Sequence, residues 1–412
     1  LTNKVKSDLR SKILEKSSSA SRTSPVPNTM PHHIAMLLSN AFRPDPRVHK
    51  EARSLVQAGY RVTIICWDRQ GELAAQETID GIEIRRLVIR SGYGVGGRQI
   101  FYLPRFWRQA LRELRRLQPD IIHCHDLDTA PAGFWHARGH RLPWIFDAHE
   151  CYPEQVRGLR VSRFIYYLLL FLERQMTRRA THVITVGNLL AQRFRAMGGQ
   201  VSVVGNYQPL ADFHSNHRIS RADLGLRPDA FVVAYIGGFT LGREILPLIR
   251  ATRYAPEAVV LLLGDGPQRE MIEAELAKHP RARYLGRVPQ EQVPNYTALA
   301  DAIYYGLNYQ ITDDNIHYSS PNALFNALAA GKPLLTTNLG EIARIVQEEQ
   351  CGMIVEPLTP ERLADAIQQL RDPAVRAAMS MKARRAAQEK YNWDVAAATL
   401  LNLYRQLNQK KK

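Results

Sequence analysis

The chain has 412 residues, 45% of them apolar and 23% charged, and a formal net charge of +16. That length exceeds one ordinary core and suits two domains of middling size, and the composition excludes fibrous and disordered classes. The four cysteines, Cys66, Cys124, Cys151 and Cys351, are scattered without CxxC spacing, which argues against a disulfide framework or structural zinc and for a reducing compartment.

Residues 1–30 are polar, carry a serine cluster at Ser17–Ser19 and lack the apolar core of a signal peptide, so they are expected to be a disordered tail. No apolar run approaches the ~20 residues that span a bilayer. From His33 onward, strand-like and helix-like stretches alternate. Ile34–Leu38 has strand length, Val48–Ala58 reads as an amphipathic helix, and Gly59 sits where a helix stop belongs. Arg61–Trp67 and Ile82–Ile89 are β-branched strands, and Phe106–Leu117 is a strongly basic helix. Ile121–His123 and Trp144–Phe146 are buried-type strands followed at once by polar residues. Val183–Val186 and Val201–Val204 complete a first series.

Tyr207–Pro228 is polar and irregular and marks a boundary. A second series follows. Its strands are Val232–Ile236, Ala258–Leu263, Ala282–Leu285, Ala302–Tyr305 and Lys332–Thr336. Its helices are Glu244–Tyr254, Gln268–Lys278, Gln290–Ala298, Asn322–Ala330, Glu361–Leu370 and Ala374–Lys390, with a last helix over Trp393–Leu407. Such alternation predicts an α/β protein with parallel sheets covered on both faces. The expected domains are 31–208 and 209–391, with residues 392–412 forming a helix that packs back on the first domain, and a tail. Ligands are expected at the carboxyl ends of the strands, in the cleft between the two sheets.

Charge is uneven: by residue count it is +4 over residues 1–30, +10 over 31–210 and +2 over the remainder. Arginine supplies nearly all of the middle excess. A basic first domain suits an anionic membrane surface, nucleic acid or acidic glycans, or is simply a solvated surface; basicity alone does not indicate nucleic acid, and no nucleic-acid partner is expected. Arg163–Leu172 is apolar and aromatic with Arg174, Arg178 and Arg179 behind it, a pattern that fits a bilayer interface or a buried core helix.

In the second series, Gly237-Gly238-Phe239-Thr240-Leu241-Gly242-Arg243 joins a strand to a helix. Such a turn exposes backbone N–H groups and a positive helix end to an anion, and Arg243 adds a fork of donors. Ser319-Ser320-Pro321-Asn322-Ala323-Leu324 opens a small-residue helix that ends at Gly331, a second helix start of the same kind. Together with Leu263-Gly264-Asp265-Gly266-Pro267 and Leu285-Gly286-Arg287-Val288-Pro289, these elements resemble the nucleotide-sugar domain of family-4 glycosyltransferases of the GT-B fold. The resemblance implies that Gly237, Gly238 and Arg243 hold a diphosphate. It implies that Arg287 and Val288 meet the base, and that Ser320, Pro321, Asn322, Ala323 and Leu324 cap phosphate or sugar. The family's two glutamates, eight positions apart, correspond here to Tyr318 and Asn326; the amide of Asn326 still bonds a hydroxyl but carries no charge.

The first domain resembles the same family through Arg43–Ala52, Gly59–Thr63, the His123-Cys124-His125-Asp126 turn and the Asp147-Ala148-His149-Glu150 turn. The resemblance assigns His125 as the catalytic group, bonding the transferred sugar as positive charge develops. His123, two residues earlier, is expected to point to the opposite face and to matter for stability. Arg47 is a candidate for the leaving diphosphate or an anionic acceptor, or else pairs with Asp45 or Glu51. His149 and Glu150 are expected to shape the acceptor pocket or to bond neighbouring loops. Asp126-Leu127-Asp128 mimics a metal-binding DxD, but the other features indicate a metal-free site, so no metal and no cofactor beyond the donor are expected.

The implied reaction is retaining hexosyl transfer from a nucleotide-diphosphate sugar to a polysaccharide or other glycan, a lipid-linked acceptor or a small-molecule hydroxyl. It is expected on the cytoplasmic side, with a peripheral contact at the inner face of the membrane. The rival readings are a sugar-nucleotide epimerase or phosphorylase of the same shape, and a non-catalytic binder of nucleotide or glycan.

Overall fold

The computed structural model describes residues 32–43, 45–91, 100–157, 161–213, 219–308 and 314–409. The tail expected over residues 1–30 and Pro44 lie outside the described residues.

The first domain is built on an eight-stranded sheet. Its strands are β1 (His33–Leu38), β2 (Arg61–Asp68), β3 (Gln76–Ile79), β4 (Ile82–Val88), β5 (Ile121–His125), β6 (Trp144–Ala148), β7 (His182–Thr185) and β8 (Val201–Val203), in the order β3-β4-β2-β1-β5-β6-β7-β8. Strands β1, β5 and β6 are buried along their whole length, as strands covered by helices on both faces must be. The sequence reading missed β3, the one antiparallel member of the sheet, which pairs Ile79 with Ile82. Asp80 (φ 50°) and Gly81 (φ 79°) form its turn. An Asp-Gly pair with two positive φ values is a tight hairpin signal, but the exposed Gln-Glu-Thr-Ile strand offered no apolar pattern to go with it.

The second sheet contains β9 (Phe231–Ile236), β10 (Ala258–Leu263), β11 (Ala282–Gly286), β12 (Ala302–Tyr305), β13 (Leu334–Thr336) and β14 (Gly352–Ile354), ordered β11-β10-β9-β12-β13-β14. All its pairings are parallel. Counted from β9, this is the 3-2-1-4-5-6 order of a Rossmann-like sheet, and β4-β2-β1-β5-β6-β7 repeats it in the first domain. The order reverses between β1 and β5 and between β9 and β12. Crevices open at those points, beyond the carboxyl ends of the strands, and the candidate residues follow β5, β6 and β9.

Helices absent from the sequence reading cover Ala130–His140, Tyr152–Arg157, Asn188–Ala196 and Gly340–Glu349, and Arg163–Arg179 is one continuous helix of 17 residues. The helix Ala130–His140 buries residues almost all round, so it shows no polar stripe to read. The last helix, Trp393–Gln409, returns to the first domain. Trp393 Nε1 donates to Ser54 Oγ at 3.1 Å, Asn408 Nδ2 donates to Tyr60 Oη at 3.1 Å, and the rings of Tyr60 and Tyr404 meet edge to face. Among the described residues no helix is long and apolar enough to cross a membrane.

Candidate active site

The first-domain half of the site is a buried knot of charge at the ends of β5 and β6. Register sets His125 opposite Asp147. His125 is fully buried, and its Nδ1 lies 3.2 Å from Asp147 Oδ2 and 3.2 Å from His149 Nε2. Its Nε2 is also buried and has no protein partner, so one ring nitrogen is left unpaired beneath the surface. Burial, then the neighbouring ring of His123, pushes the His125 pKa down to about 3, against the pull of Asp147; the ring is neutral at physiological pH. Burial would raise Asp147, but Arg47 and His149 outweigh it and hold this carboxyl well below its usual range. His149 shows the reverse balance: burial disfavours its charge, yet Asp126 and Asp147 lift it to about 10.

His123 does not point away from His125. Residues two apart in a strand share a face, and the two rings stack with centroids 4.3 Å apart. The expectation of opposite faces is corrected by the strand period itself. His123 is part of the same knot, with Nδ1 2.8 Å from Tyr404 Oη and Nε2 3.4 Å from Asp147 Oδ2.

Arg47 is placed inside the knot and not on an open surface. Its guanidinium donates to Asp147 Oδ1 at 2.9 Å and to the Val204 carbonyl at 2.7 Å, and it pairs with Glu51 Oε1 at 3.0 Å. Asp45 instead caps the helix Pro46–Gln57 through backbone N–H groups. The Arg47 guanidinium is thus taken up by Asp147, Val204 and Glu51, and the pairing with Glu51 is among the contacts the structure shows. Glu51, His123, His125 and Asp147 converge closely enough to hold a metal ion. However, Arg47 already supplies a cation to both carboxylates, and a divalent ion there would sit against the guanidinium. Glu150 is exposed beside Asn315, whose amide donates to it at 3.1 Å.

The second-domain half is a cavity of about 760 Å³. First-domain Arg43, Pro46 and His49 line one side; Gly237, Asn322, Ala323 and Asn326 line the other. A smaller hollow of about 330 Å³ shares Ile236, Gly237 and Val293 with it and continues past Gly238, Gly264, Arg287 and Val288. The two glycines at its floor are not demanded by packing. A Cβ on Gly237 would come no nearer than 3.4 Å to any side chain, and one on Gly238 no nearer than 3.5 Å. Gly264 differs: its φ is +150° and a Cβ would lie 1.8 Å from the Gly237 carbonyl, so it shapes the loop from below. Glycine at 237 and 238 keeps space open at the end of a buried strand.

Arg243 is not among the residues lining this cavity. It borders a separate hollow with Leu241, Gln268 and Asn308. Its guanidinium lies 4.8 Å from the centre of the Tyr305 ring, and Nη1 is buried without a partner. Leu324 is fully buried and anchors the start of the helix Asn322–Ala330, while the Ser320 hydroxyl is buried without a partner. Pro321 is the residue before that helix, in extended conformation. The side chain of Asn322 already meets Asn206 of the first domain at 2.9 Å. Tyr318 turns to the first domain, its ring 5.8 Å from the Arg193 guanidinium; only Asn326 of the pair lines the cavity.

The sequence reading missed Glu341, Asp147 and Tyr404. Glu341 is 2% exposed and accepts the N–H groups of Asn188 and Leu189 at 3.0 Å each, a carboxylate of the second domain on a helix start of the first. Asp147 was legible as the first residue of its turn, and its partners were not. Nothing near Tyr404 in the sequence signals its contact with His123, 281 positions away.

Comparison with known proteins bears on the family and the fold. Residues 44–207 match the Glycosyl transferase 4-like domain, and residues 232–372 match Glycosyl transferases group 1. An uncharacterized glycosyltransferase of Methanocaldococcus jannaschii is 24% identical over 382 residues, covering 86% of this chain and 92% of that protein. Sucrose-phosphate synthase from Thermosynechococcus elongatus superposes with a TM-score of 0.76 at 21% identity, covering 92% of this chain and all of that one. Anabaena HepE, solved in complex with UDP, gives a TM-score of 0.69 at 14% identity over 91% of this chain and 100% of its own.

Proposed function

Because the chain belongs to the GT-B glycosyltransferases, a glycosyl transferase 4-like domain followed by a group 1 domain, we propose that it moves a hexose from a nucleotide-diphosphate sugar to an acceptor hydroxyl with retention at the anomeric carbon. The observation that carries this reading is the cavity bounded by both domains and lined by Gly237, a glycine that packing does not require. A diphosphate along Gly237 and Gly238 would meet the start of the helix Asn322–Ala330; the N–H groups of Gly237 and Phe239 already donate to the carbonyls of Leu263 and Asp265. The hollow past Arg287 and Val288 is of a size for a base. The UDP complex of the similarly folded HepE favours a nucleotide ligand.

In the proposed reaction the bond between the anomeric carbon and the diphosphate oxygen breaks, and the acceptor oxygen bonds that carbon on the same face. The acceptor proton passes to the leaving phosphate oxygen. His125, neutral and with Nε2 free, accepts a hydrogen bond from a sugar hydroxyl. Asp147 behind Nδ1 stabilises the ring as positive charge gathers on the sugar. Protein donors and helix starts offset the phosphate charge, so the reading assigns the step no metal. The acceptor is a glycan, lipid-linked or small-molecule hydroxyl, and the basic first domain faces the inner, anionic side of a membrane.

The test is a thermal-shift panel of UDP, GDP, ADP and their sugars, followed by NMR of the product anomer. One nucleotide diphosphate should raise the melting temperature, since a ligand that binds only the native state stabilises it. Its sugar should be transferred with retention, and transfer should survive EDTA. Turnover of the donor to an epimer without acceptor, binding without turnover, or an inverted product would each replace this reading.

A further inference from the structure

We infer that the exposed face of the helix Arg163–Arg179 docks on an anionic lipid bilayer. The inference rests on the proposed transfer only in supplying a reason for the docking; the surface argument is separate. This helix buries Leu169, Glu173, Met176 and Thr177 against the first domain. The opposite face is no more polar. Phe164 (76% exposed), Tyr167 (56%), Leu168 (43%) and Phe171 (57%) recur at helical spacing and form one stripe. Exposed apolar residues are ordinary when scattered singly, whereas four on one helix face mark a contact surface.

Charge selects the occupant. Every exposed residue of the helix is either one of those four or an arginine: Arg163 at one end, Arg174, Arg178 and Arg179 at the other. Its one carboxylate, Glu173, is buried and bound by Arg193 at 2.5 Å. The helix Ala130–His140 packs between this helix and Leu103–Leu117, where Arg105, Arg108 and Arg112 are exposed. Aromatic rings with a cationic rim and no exposed acid suit the headgroup boundary of an anionic leaflet, where arginine stems lie on the apolar layer and guanidinium groups reach phosphate. The helix is too short and too charged to cross, so it lies on the surface.

The stripe also sits beside the site. Tyr166 donates to Glu154 of the helix Tyr152–Arg157, which directly follows the His149-Glu150 turn. A docked helix therefore brings that turn close to the lipid surface, as transfer to a lipid-borne hydroxyl requires.

The experiment measures co-sedimentation of the full chain, without nucleotide, with vesicles of phosphatidylcholine alone or mixed with phosphatidylglycerol. Wild type should bind the mixed vesicles and release with rising salt. The double variant Phe164→Ser with Phe171→Ser should bind about tenfold more weakly or worse at every salt, because burial of the rings is lost. The pair Arg174→Gln with Arg178→Gln should flatten the salt dependence. Circular dichroism confirms folding of each variant, and exposed positions tolerate these changes. The inference is overturned if wild type ignores mixed vesicles, if the phenylalanine variant binds equally, or if light scattering shows a wild-type dimer that this variant dissolves, which would give the face to a second copy. Nucleotide-diphosphate binding, measured without vesicles, decides the transfer reading independently.

Discussion

The hydroxyl of Tyr404, on the last helix of the chain, lies 2.8 Å from Nδ1 of His123, whose ring stacks on the candidate catalytic His125. Both residues are fully buried. A helix that follows the second domain in sequence thus reaches the heart of the first, and the chain Tyr404–His123–Asp147–His125 links them through contacts of 2.8, 3.4 and 3.2 Å. Tyr404 is a positioning residue: its hydroxyl holds the His123 ring in place, and His123 in turn backs Asp147. Tyr404→Phe keeps the ring and removes the hydroxyl. The variant should lose about 1–3 kcal/mol of stability, the cost of leaving a buried nitrogen unpaired. The acid limb of its kcat–pH profile should also move. A merely structural tyrosine would change the melting temperature and leave that limb in place.

Glu341 joins the domains from the other side. Its carboxylate receives two backbone N–H groups of the first domain while Arg344 holds it at 2.6 Å. The approach is close, because a Cβ on Gly187 would lie 2.6 Å from Ser320 Oγ. Glu341→Ala removes both acceptors and leaves the helix Asn188–Ala196 uncapped. Stability should fall by about 1–2 kcal/mol, as for loss of a helix cap. Solution scattering should report a larger radius of gyration as the domains part. An unchanged scattering curve would show that other contacts hold the cleft.

Much of the fold was legible because buried parallel strands are short apolar runs, and β1, β5, β6, β9, β10 and β12 are of that kind. Two of the four edge strands were not, β3 being exposed and polar and β14 three half-buried residues, whereas the edges β8 and β11 were. The glycine turn at Gly237 and the helix start at Asn322 were readable as places where backbone donors gather. The partners of Arg47 were not, since Asp147 and Val204 lie 100 and 157 positions away. Local sequence names the residue types at a site, and only the assembled sheet decides which carboxylate meets which cation. The stacking of His123 and His125 was derivable from strand periodicity alone.

The buried knot should make stability fall on both sides of neutrality. His125 is held down to about 3 from 6.5, so it stays neutral in the fold while the unfolded chain takes up a proton. Its contribution is full above pH 6.5 and is lost as pH falls toward 3. His149 is raised from 6.5 to about 10. Its contribution is full below pH 6.5 and is lost as pH rises through 10. Glu51, buried and raised from 4.5 to about 8, acts over the range 4.5 to 8, and Lys50, lowered by burial from 10.5 to about 8, acts from 8 to 10.5 in the opposite sense, so the difference between His149→Gln and wild type is what isolates His149. Melting temperatures of His149→Gln should therefore fall less steeply than wild type between pH 8 and 10. Parallel curves would show that His149 carries no proton in the fold.

His125 is the decisive residue for the chemistry. Its Nδ1 is occupied by Asp147 and His149, its Nε2 is free, and it ends the strand at the point where the first sheet reverses order. A sugar seated in the cleft with a hydroxyl on Nε2 would feel a neutral ring backed by a carboxylate, a pair that responds to positive charge forming on the sugar. His125→Ala should lower kcat by about 10²-fold, the range of a positioned catalytic side chain. Donor affinity should hold, because the glycine cradle and base hollow belong to the other domain. The stack with His123 removes that residue as a neutral control, since either truncation opens space beside the other ring. His123→Gln is the better comparison: the amide can still meet Tyr404, and His125 keeps Asp147. That variant should retain most of kcat. Equal losses in the two variants would show that the knot acts as a unit and that His125 has no separate role. A fully active His125→Ala would move the catalytic group to His149, the nearest ring with access to solvent.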